Sequence, residues 1–382
     1  MITRILAGLP ALFIVTAQAV GNSGLQLNMT QGVTEISRQV YDLHMTILYI
    51  CVAIGVVVFG AMFWAIIHHR KSKGAEAATF HESTKVEIIW TLIPFLILIS
   101  MAVPATQVLL AMDDTSEPDL TVLVTGSQWK WHYSYFEEDV EFFSLLASSQ
   151  AQINNEREKR ETYLIEVDKP LVLPTGKKVR FLITSQDVIH SWWVPDFAVK
   201  KDANPGFINE AWTKIDDPGI YRGQCAELCG KDHGFMPIVV VAKEPGEFDS
   251  WLTETRVAQQ QAAEEEKRLL DMQMSEEELM TVGEKVYASR CAACHQANGE
   301  GLAGVFPPLA GAEVAVNKDR LLDHMNVVIH GQAGTAMQAF GEQLSLKELA
   351  AVITYERNAW GNDTGELIQA AQVQAVLDGK GL

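Results

Sequence analysis

Four residues within twelve positions, Cys225, Cys229, His233 and Met236, offer two thiolates, an imidazole and a thioether, and His190 stands thirty-five positions upstream. Soft sulfur donors combined with imidazole form the ligand set that copper favours. Zinc is the competing metal, but structural zinc sites take Cys-x2-Cys knuckles and seldom recruit methionine, so the Cys-x3-Cys-x3-His-x2-Met spacing argues for copper. One thiolate suffices for a mononuclear electron-transfer site. The second, in the same loop, allows both sulfurs to bridge two copper ions; a disulfide between them is the alternative in an oxidising compartment. A second cluster, Cys291-Ala-Ala-Cys294-His295, has the spacing of covalent haem c attachment. Two thiols on one helical turn can each add to a haem vinyl group while the adjacent imidazole reaches the iron. Met325, Met337, His324 and His330 are candidates for the sixth iron ligand, and a His/Met pair raises the potential. Met325 reads equally as core, because it shares a helical stripe with Leu321, Leu322 and Val328. The fifth cysteine, Cys51, lies in an apolar run and reads as a small buried hydrophobe.

These groups need elements to hold them, and 382 residues allow two or three domains. Mean hydropathy is slightly positive, which directs attention to membrane segments. Residues 1–19 carry Arg4, a short apolar run and small residues at Ala17 and Ala19, the pattern of a secretory signal. Residues 43–67 and 88–110 are free of formal charge and long enough to span a bilayer, so 25–110 reads as a transmembrane hairpin. The loop between them holds Arg70, Lys71, Lys73 and Lys85, whereas Asp113, Asp114, Glu117 and Asp119 follow the second span. By the positive-inside rule everything after residue 111 is extracytoplasmic.

From 111 to 252 short runs rich in Val, Ile, Tyr and Trp alternate with Gly, Pro, Asn and Asp, the pattern of an antiparallel β-sandwich or barrel. Strands are expected at 120–124, 129–136, 162–167, 178–184, 219–223 and 237–241, with 148–161 as an exposed insertion. Trp129 and Trp131 fall on one of these strands, and pattern alone leaves open whether one is core and the other surface. Residues 253–275 form a polar linker, a solvated helix or hinge. Capping boxes at Ser275/Glu278 and Ser345/Glu348 open helices of a compact domain over 276–360, followed by a tail at 361–382. A net charge of −18 disfavours nucleic acid as a partner, and leaves open whether acidity steers a cationic donor or only confers solubility.

The run Gln224-Cys225-Ala226-Glu227-Leu228-Cys229-Gly230-x-x-His233-Gly234-Phe235-Met236-Pro237, with His190-Ser-Trp, Gln128-Trp129-Lys-Trp131 and Val86-Glu87-Ile-Ile-Trp90-Thr-Leu-Ile-Pro94, resembles subunit II of the haem-copper cytochrome c oxidases over residues 25–252. The resemblance implies a cupredoxin-like Greek-key sandwich bearing a binuclear copper centre, CuA. Cys225 and Cys229 would bridge the ions, His190 and His233 would each bind one, and Met236 and the backbone carbonyl of Glu227 would complete the coordination. It further implies magnesium, shared with subunit I, at the Glu227 side chain, a proton-channel role for Glu87, and Trp129 as the aromatic where electrons arrive. Lys130 departs from a usual aromatic, and Phe207 from a usual Arg. Gly334-Thr-Ala-Met337-Gln-Ala-Phe340 resembles the Met-Pro-x-Phe loop of class I cytochromes c, which selects Met337 as the sixth ligand, with Gln338 at the usual proline. Phe306-Pro307-Pro308-Leu309 resembles the loop beside the proximal histidine.

The expectation is therefore a multidomain chain: a two-helix membrane hairpin, an all-β cupredoxin-like domain and a small all-α cytochrome c domain. It would act as subunit II of a proton-pumping oxidase in a bacterial inner membrane. Its partners would be subunits I and III, a reduced cytochrome or other electron donor, and membrane lipid. Related sequences with other roles differ in the residues: a quinol oxidase subunit lacks the copper ligands, a Sco-like copper chaperone is an α/β domain with one anchor and no haem, and a nitrous oxide reductase domain lacks the hairpin.

Overall fold

The computed structural model describes residues 28–76, 79, 81–332 and 334–381; the expected signal at 1–19 lies outside them. Helix α1 (Glu35–His68) starts where Thr34 Oγ1 accepts from the Ser37 amide and Ser37 Oγ accepts from the Thr34 amide, each at 2.9 Å. Beyond Ile36 and Ser37 its apolar side chains face outward, Val57 at 71% exposure, as they also do along α2 (Thr84–Asp113), where Leu110 is 66% exposed. Apolar all-round exposure over this length is the arrangement that lipid, not water, satisfies. Both helices extend past their charge-free runs and meet the next domain. The Trp212 indole donates to the Ala111 carbonyl at 3.0 Å, and the Val33 amide donates to the Asp196 carbonyl at 2.9 Å.

Ten strands follow: β1 (Leu120–Ser127), β2 (Lys130–Tyr135), β3 (Val140–Ser144), β4 (Leu171–Pro174), β5 (Val179–Ser185), β6 (His190–Val194), β7 (Val199–Ala203), β8 (Asn209–Thr213), β9 (Gly219–Cys225) and β10 (Pro237–Lys243). They form two five-stranded sheets, ordered β3-β2-β1-β5-β8 and β4-β10-β9-β6-β7. Their facing side chains, among them Val122, Val124, Trp131, Tyr133, Phe181, Ile183, Trp192 and Ile238, make one core. The sandwich is mixed rather than antiparallel throughout, because β1 runs parallel to β5 and β4 to β10. Two local expectations change. Residues 162–167 make no strand: Leu164 sits at φ +64°, which turns the chain, and Val167 alone bridges to Leu146. Trp129 lies in the turn before β2, after a cis peptide bond from Gln128, and not on the strand. The insertion at 148–161 contains one helical turn, α3 (Gln150–Ile153), capped by Ser149.

Helix α4 (Pro245–Leu269) leaves β10 and spans most of the expected linker. Phe248 and Leu252 pack into the sandwich core, and Leu269 packs into a second core. That second core is helical: α5 (Glu276–Arg290), α6 (Ala292–His295), α7 (Glu313–Val316), α8 (Leu321–His330), α9 (Leu346–Asn358) and α10 (Ala370–Leu377). Helices α5 and α9 approach so closely at Gly283 that a Cβ there would lie 2.2 Å from the Ala351 carbonyl oxygen. Ile368, Ala370, Val373 and Val376 join this core, so the segment expected as a tail is part of the packed domain.

Candidate metal and haem sites

The turns that close the sandwich at one end bring the sulfur and imidazole donors together. Cys225 ends β9, Met236 precedes β10, and the loop between them folds back over the mouth of the core. Both thiols are free and buried, with Sγ atoms 3.9 Å apart, which leaves them unbridged by a disulfide. His190 Nδ1 lies 4.0 Å from Cys225 Sγ, His233 Nδ1 3.4 Å from Cys229 Sγ, and Met236 Sδ 3.6 Å from Cys229 Sγ. The Glu227 carbonyl oxygen is 3.4 Å from Cys225 Sγ, while its side chain is exposed. Every donor expected from the sequence is thus present at one place. Two sulfurs between two imidazoles, a thioether and a carbonyl suit a pair of soft ions.

The surroundings fix these groups. Asp187 Oδ1 is 2.9 Å from His190 Nε2, which fixes the ring with Nδ1 turned toward Cys225 Sγ. Burial pulls His190 down, but hydrogen bonds with Asp187 and Cys225 outweigh it and hold the ring above its ordinary value. A hydrogen bond from Cys229 holds the Cys225 thiol down at about 3, and the same bond pushes Cys229 well up. The two sulfurs thus share a hydrogen bond that favours one thiolate in the pair, the form in which a sulfur ligates soft ions. The Cys229 carbonyl accepts from the Gln128 amide side chain at 2.8 Å and from the Trp129 indole at 3.2 Å. Of the two tryptophans, Trp131 is fully buried, donating to the Met236 carbonyl at 3.3 Å, and half-buried Trp129 covers the loop. Sequence reasoning missed Asp187, although an acid three positions before a candidate ligand is a usable signal. Glu87 lies apart, exposed in the first turn of α2.

In the helical domain Cys291, Cys294, His295 and Met337 line one cleft of about 670 Å³, walled by Phe306, Leu309, Val328, Phe340 and Val352. His295 Nδ1 is 2.9 Å from the Pro307 carbonyl oxygen; a donor there leaves Nε2 free for iron. Burial pushes the Cys291 and Cys294 thiols up. The remaining candidates sort themselves by contact. Met325 is fully buried in the core, His330 ends α8 exposed, and His324 is committed through Nε2 to Glu356 at 2.9 Å. An apolar cleft carrying two thiols at one rim, with an imidazole and a thioether, fits a covalently held haem.

Three family profiles match the chain: the transmembrane domain of cytochrome c oxidase subunit II at residues 22–108, its periplasmic domain at 120–243, and cytochrome c oxidase, cbb3-type, subunit III at 278–355. A probable cytochrome c oxidase subunit 2 of Rickettsia bellii is 39% identical over 228 residues, 59% of this chain and 83% of the relative. The mitochondrial subunit 2 of Glycine max is 36% identical over 230 residues, 60% of this chain and 58% of the relative. Among solved structures, the periplasmic domain of subunit II of the Bradyrhizobium japonicum cytochrome oxidase is 41% identical, covering 38% of this chain and 98% of that one at a TM-score of 0.34.

Proposed function

The chain belongs to the cytochrome c oxidase subunit II family and carries a C-terminal cytochrome c domain, and from that premise we propose that it is the electron-accepting subunit of a proton-pumping oxidase. Electrons arrive at the cytochrome domain, pass to the β-domain and leave for subunit I, which reduces oxygen to water. Subunit III completes the assembly, a reduced cytochrome or another small donor supplies the electrons, and the complex sits in the bacterial inner membrane with both soluble domains outside.

The single observation that carries this reading is the convergence of His190, Cys225, Glu227 carbonyl, Cys229, His233 and Met236 at the mouth of the sandwich. These residues would hold the CuA copper pair, with the cysteines as bridges; Cys291 and Cys294 would hold haem c, with His295 and Met337 toward its iron. When bound, both groups supply reversible one-electron exchange. The chain's own residues keep that exchange cheap. Asp187 holds the His190 ring in one orientation, and the Gln128 and Trp129 donors pin the Cys229 backbone, so little has to move when charge changes. Trp129, lying over the copper loop, is the aromatic through which electrons reach it. The Glu227 carboxylate, which is exposed, would share a magnesium ion with subunit I, and Glu87, exposed in the first turn of α2, would serve the mouth of a proton channel.

Metal and haem analysis of the full chain, with electron paramagnetic resonance of the oxidised protein, tests the reading. Two coppers, one covalent haem and a hyperfine pattern from a spin shared by both coppers are expected. One copper with a localised spin, or zinc in its place, overturns it.

A further inference from the structure

The cytochrome and β-domains touch, and they touch beside the copper loop. Lys130, the first residue of β2, is 3% exposed, and its Nζ donates to the side-chain oxygen of Gln338, the neighbour of Met337. Lys231, two residues after Cys229, donates to the Ala293 carbonyl between the two haem cysteines at 3.3 Å and lies 4.7 Å from the centre of the Phe306 ring. Arg290, immediately before Cys291, pairs with Asp168 at 3.7 Å. Three segments of the β-domain, Lys231 in the copper loop, Lys130 beside it on β2 and Asp168 before β4, thus hold the rim of the haem cleft.

Helix α4 reinforces them from behind. Arg256 pairs with Glu138 of the sandwich at 2.6 Å, and Glu266 accepts from the Leu346 amide at the start of α9 at 3.1 Å. No glycine or proline interrupts the helix between Glu247 and Leu269. A helix buried at one end in one core and at the other end in a second is a strut, since bending it would break its own hydrogen bonds.

We propose that the cytochrome domain stands docked on the copper loop at rest, latched by Lys130–Gln338, Lys231–Ala293 and Asp168–Arg290 and braced by α4, so that electron transfer between the domains requires no swing. This rests on the relay reading above and deepens it. It also joins two residues that look unrelated in sequence. Lys130 and Gln338, each a departure from its own family's pattern, are partners: a lysine desolvated at a domain contact needs an acceptor, and the glutamine oxygen is one that proline could not supply.

The test follows electron transfer from haem to copper after rapid reduction of the haem in the complete oxidase, in buffers of increasing glycerol content. A docked domain gives a first-order rate that does not change with viscosity; a rate falling in proportion to viscosity overturns the proposal. Gln338→Ala removes the acceptor of a buried donor and is expected to slow transfer roughly 5- to 100-fold. Asp168→Arg is expected to slow it roughly 2- to 5-fold, with the rate restored when Arg290→Asp is added. Hydrogen exchange on the full chain supplies a readout apart from turnover: amides at 290–295 and 336–340 exchange faster in Gln338→Ala. Unchanged rate and exchange in that variant overturn the latch. Wild-type protein whose copper never reduces as its haem oxidises overturns the relay reading itself, whatever the viscosity.

Discussion

The β-domain and the cytochrome domain solve the same problem, holding a redox group, in opposite ways. In the β-domain the donors are drawn together by the packing of the sandwich itself: His190, Cys225, Cys229 and Met236 are 0–4% exposed, and each ligand atom has a neighbour within about 4 Å. In the cytochrome domain the cofactor residues line an open cleft of about 670 Å³ whose walls are the apolar faces of α8, α9 and the 305–314 loop. A copper ion is small and directional, so a rigid sandwich end suffices; haem is a large apolar body, and the helices around it are arranged as half a core. Rigidity is built into the protein in one case and completed by the cofactor in the other.

The sharpest way to break this contrast is to withhold both cofactors. Blocking haem attachment with Cys291→Ser and Cys294→Ser leaves the cleft walls without their filling. At about 24 cal/mol per Å³, even a fifth of that volume acting as a cavity costs roughly 3 kcal/mol, so residues 276–358 are expected to lose most of their hydrogen-exchange protection. Cys225→Ser with Cys229→Ser should leave the hydrogen-exchange protection of the sandwich core close to that of wild type stripped of copper. Equal losses in the two domains would refute the distinction.

A comparably large effect is expected behind the wall of the haem cleft. Arg357 is fully buried on α9 and bonded to the Val314 and Asn317 carbonyls and to Glu366. Removing it as Arg357→Met leaves a carboxylate and two carbonyls without their donor, at roughly 3 kcal/mol. Calorimetry should register this in the cytochrome transition and not in the β-domain transition.

In the copper site the expected cost falls on affinity. Asp187→Ala frees the His190 ring and should weaken copper binding roughly 10- to 100-fold, read by competition with a chelator, while the fold is retained. A smaller effect concerns pH. Burial holds Lys130 down at about 7; Arg290 lowers it further and Asp187 opposes, with His132 on the same strand and the neutral Gln338 and Phe143 also facing it. Undocking returns water to Lys130 and moves it up from about 7 toward its ordinary 10.5. Between about 7 and 10.5 the undocked state therefore binds more protons, so docking tightens as pH rises through that window and is weakest below it. Exchange protection at 336–340 measured against pH checks the sign, and Lys130→Met should flatten the profile.

Much of this arrangement is legible in the sequence, and what is not has a physical reason. The copper donors and the haem motif are short and local, so spacing alone brings most of them together. The two membrane helices announce themselves by their missing charges. Residues 162–167 have strand composition, but the left-handed turn at Leu164 depends on what surrounds it. Trp129 continues the alternation of β2, and only the turn geometry takes it off the strand. The last helix is too short and weakly patterned to be recognised as core, although Val373 and Val376 complete it. Lys130 and Gln338 are 208 positions apart, and nothing in either neighbourhood signals the other; that pairing exists only in the folded chain.

The most direct test of the central claim is to deliver one electron to the haem of the purified full chain and follow the haem and copper absorbances together. Haem oxidation and copper reduction are expected to proceed with one rate constant and equal amplitude, and Cys229→Ser to abolish both while the covalent haem remains. Haem that stays reduced beside a fully loaded, oxidised copper centre would contradict it.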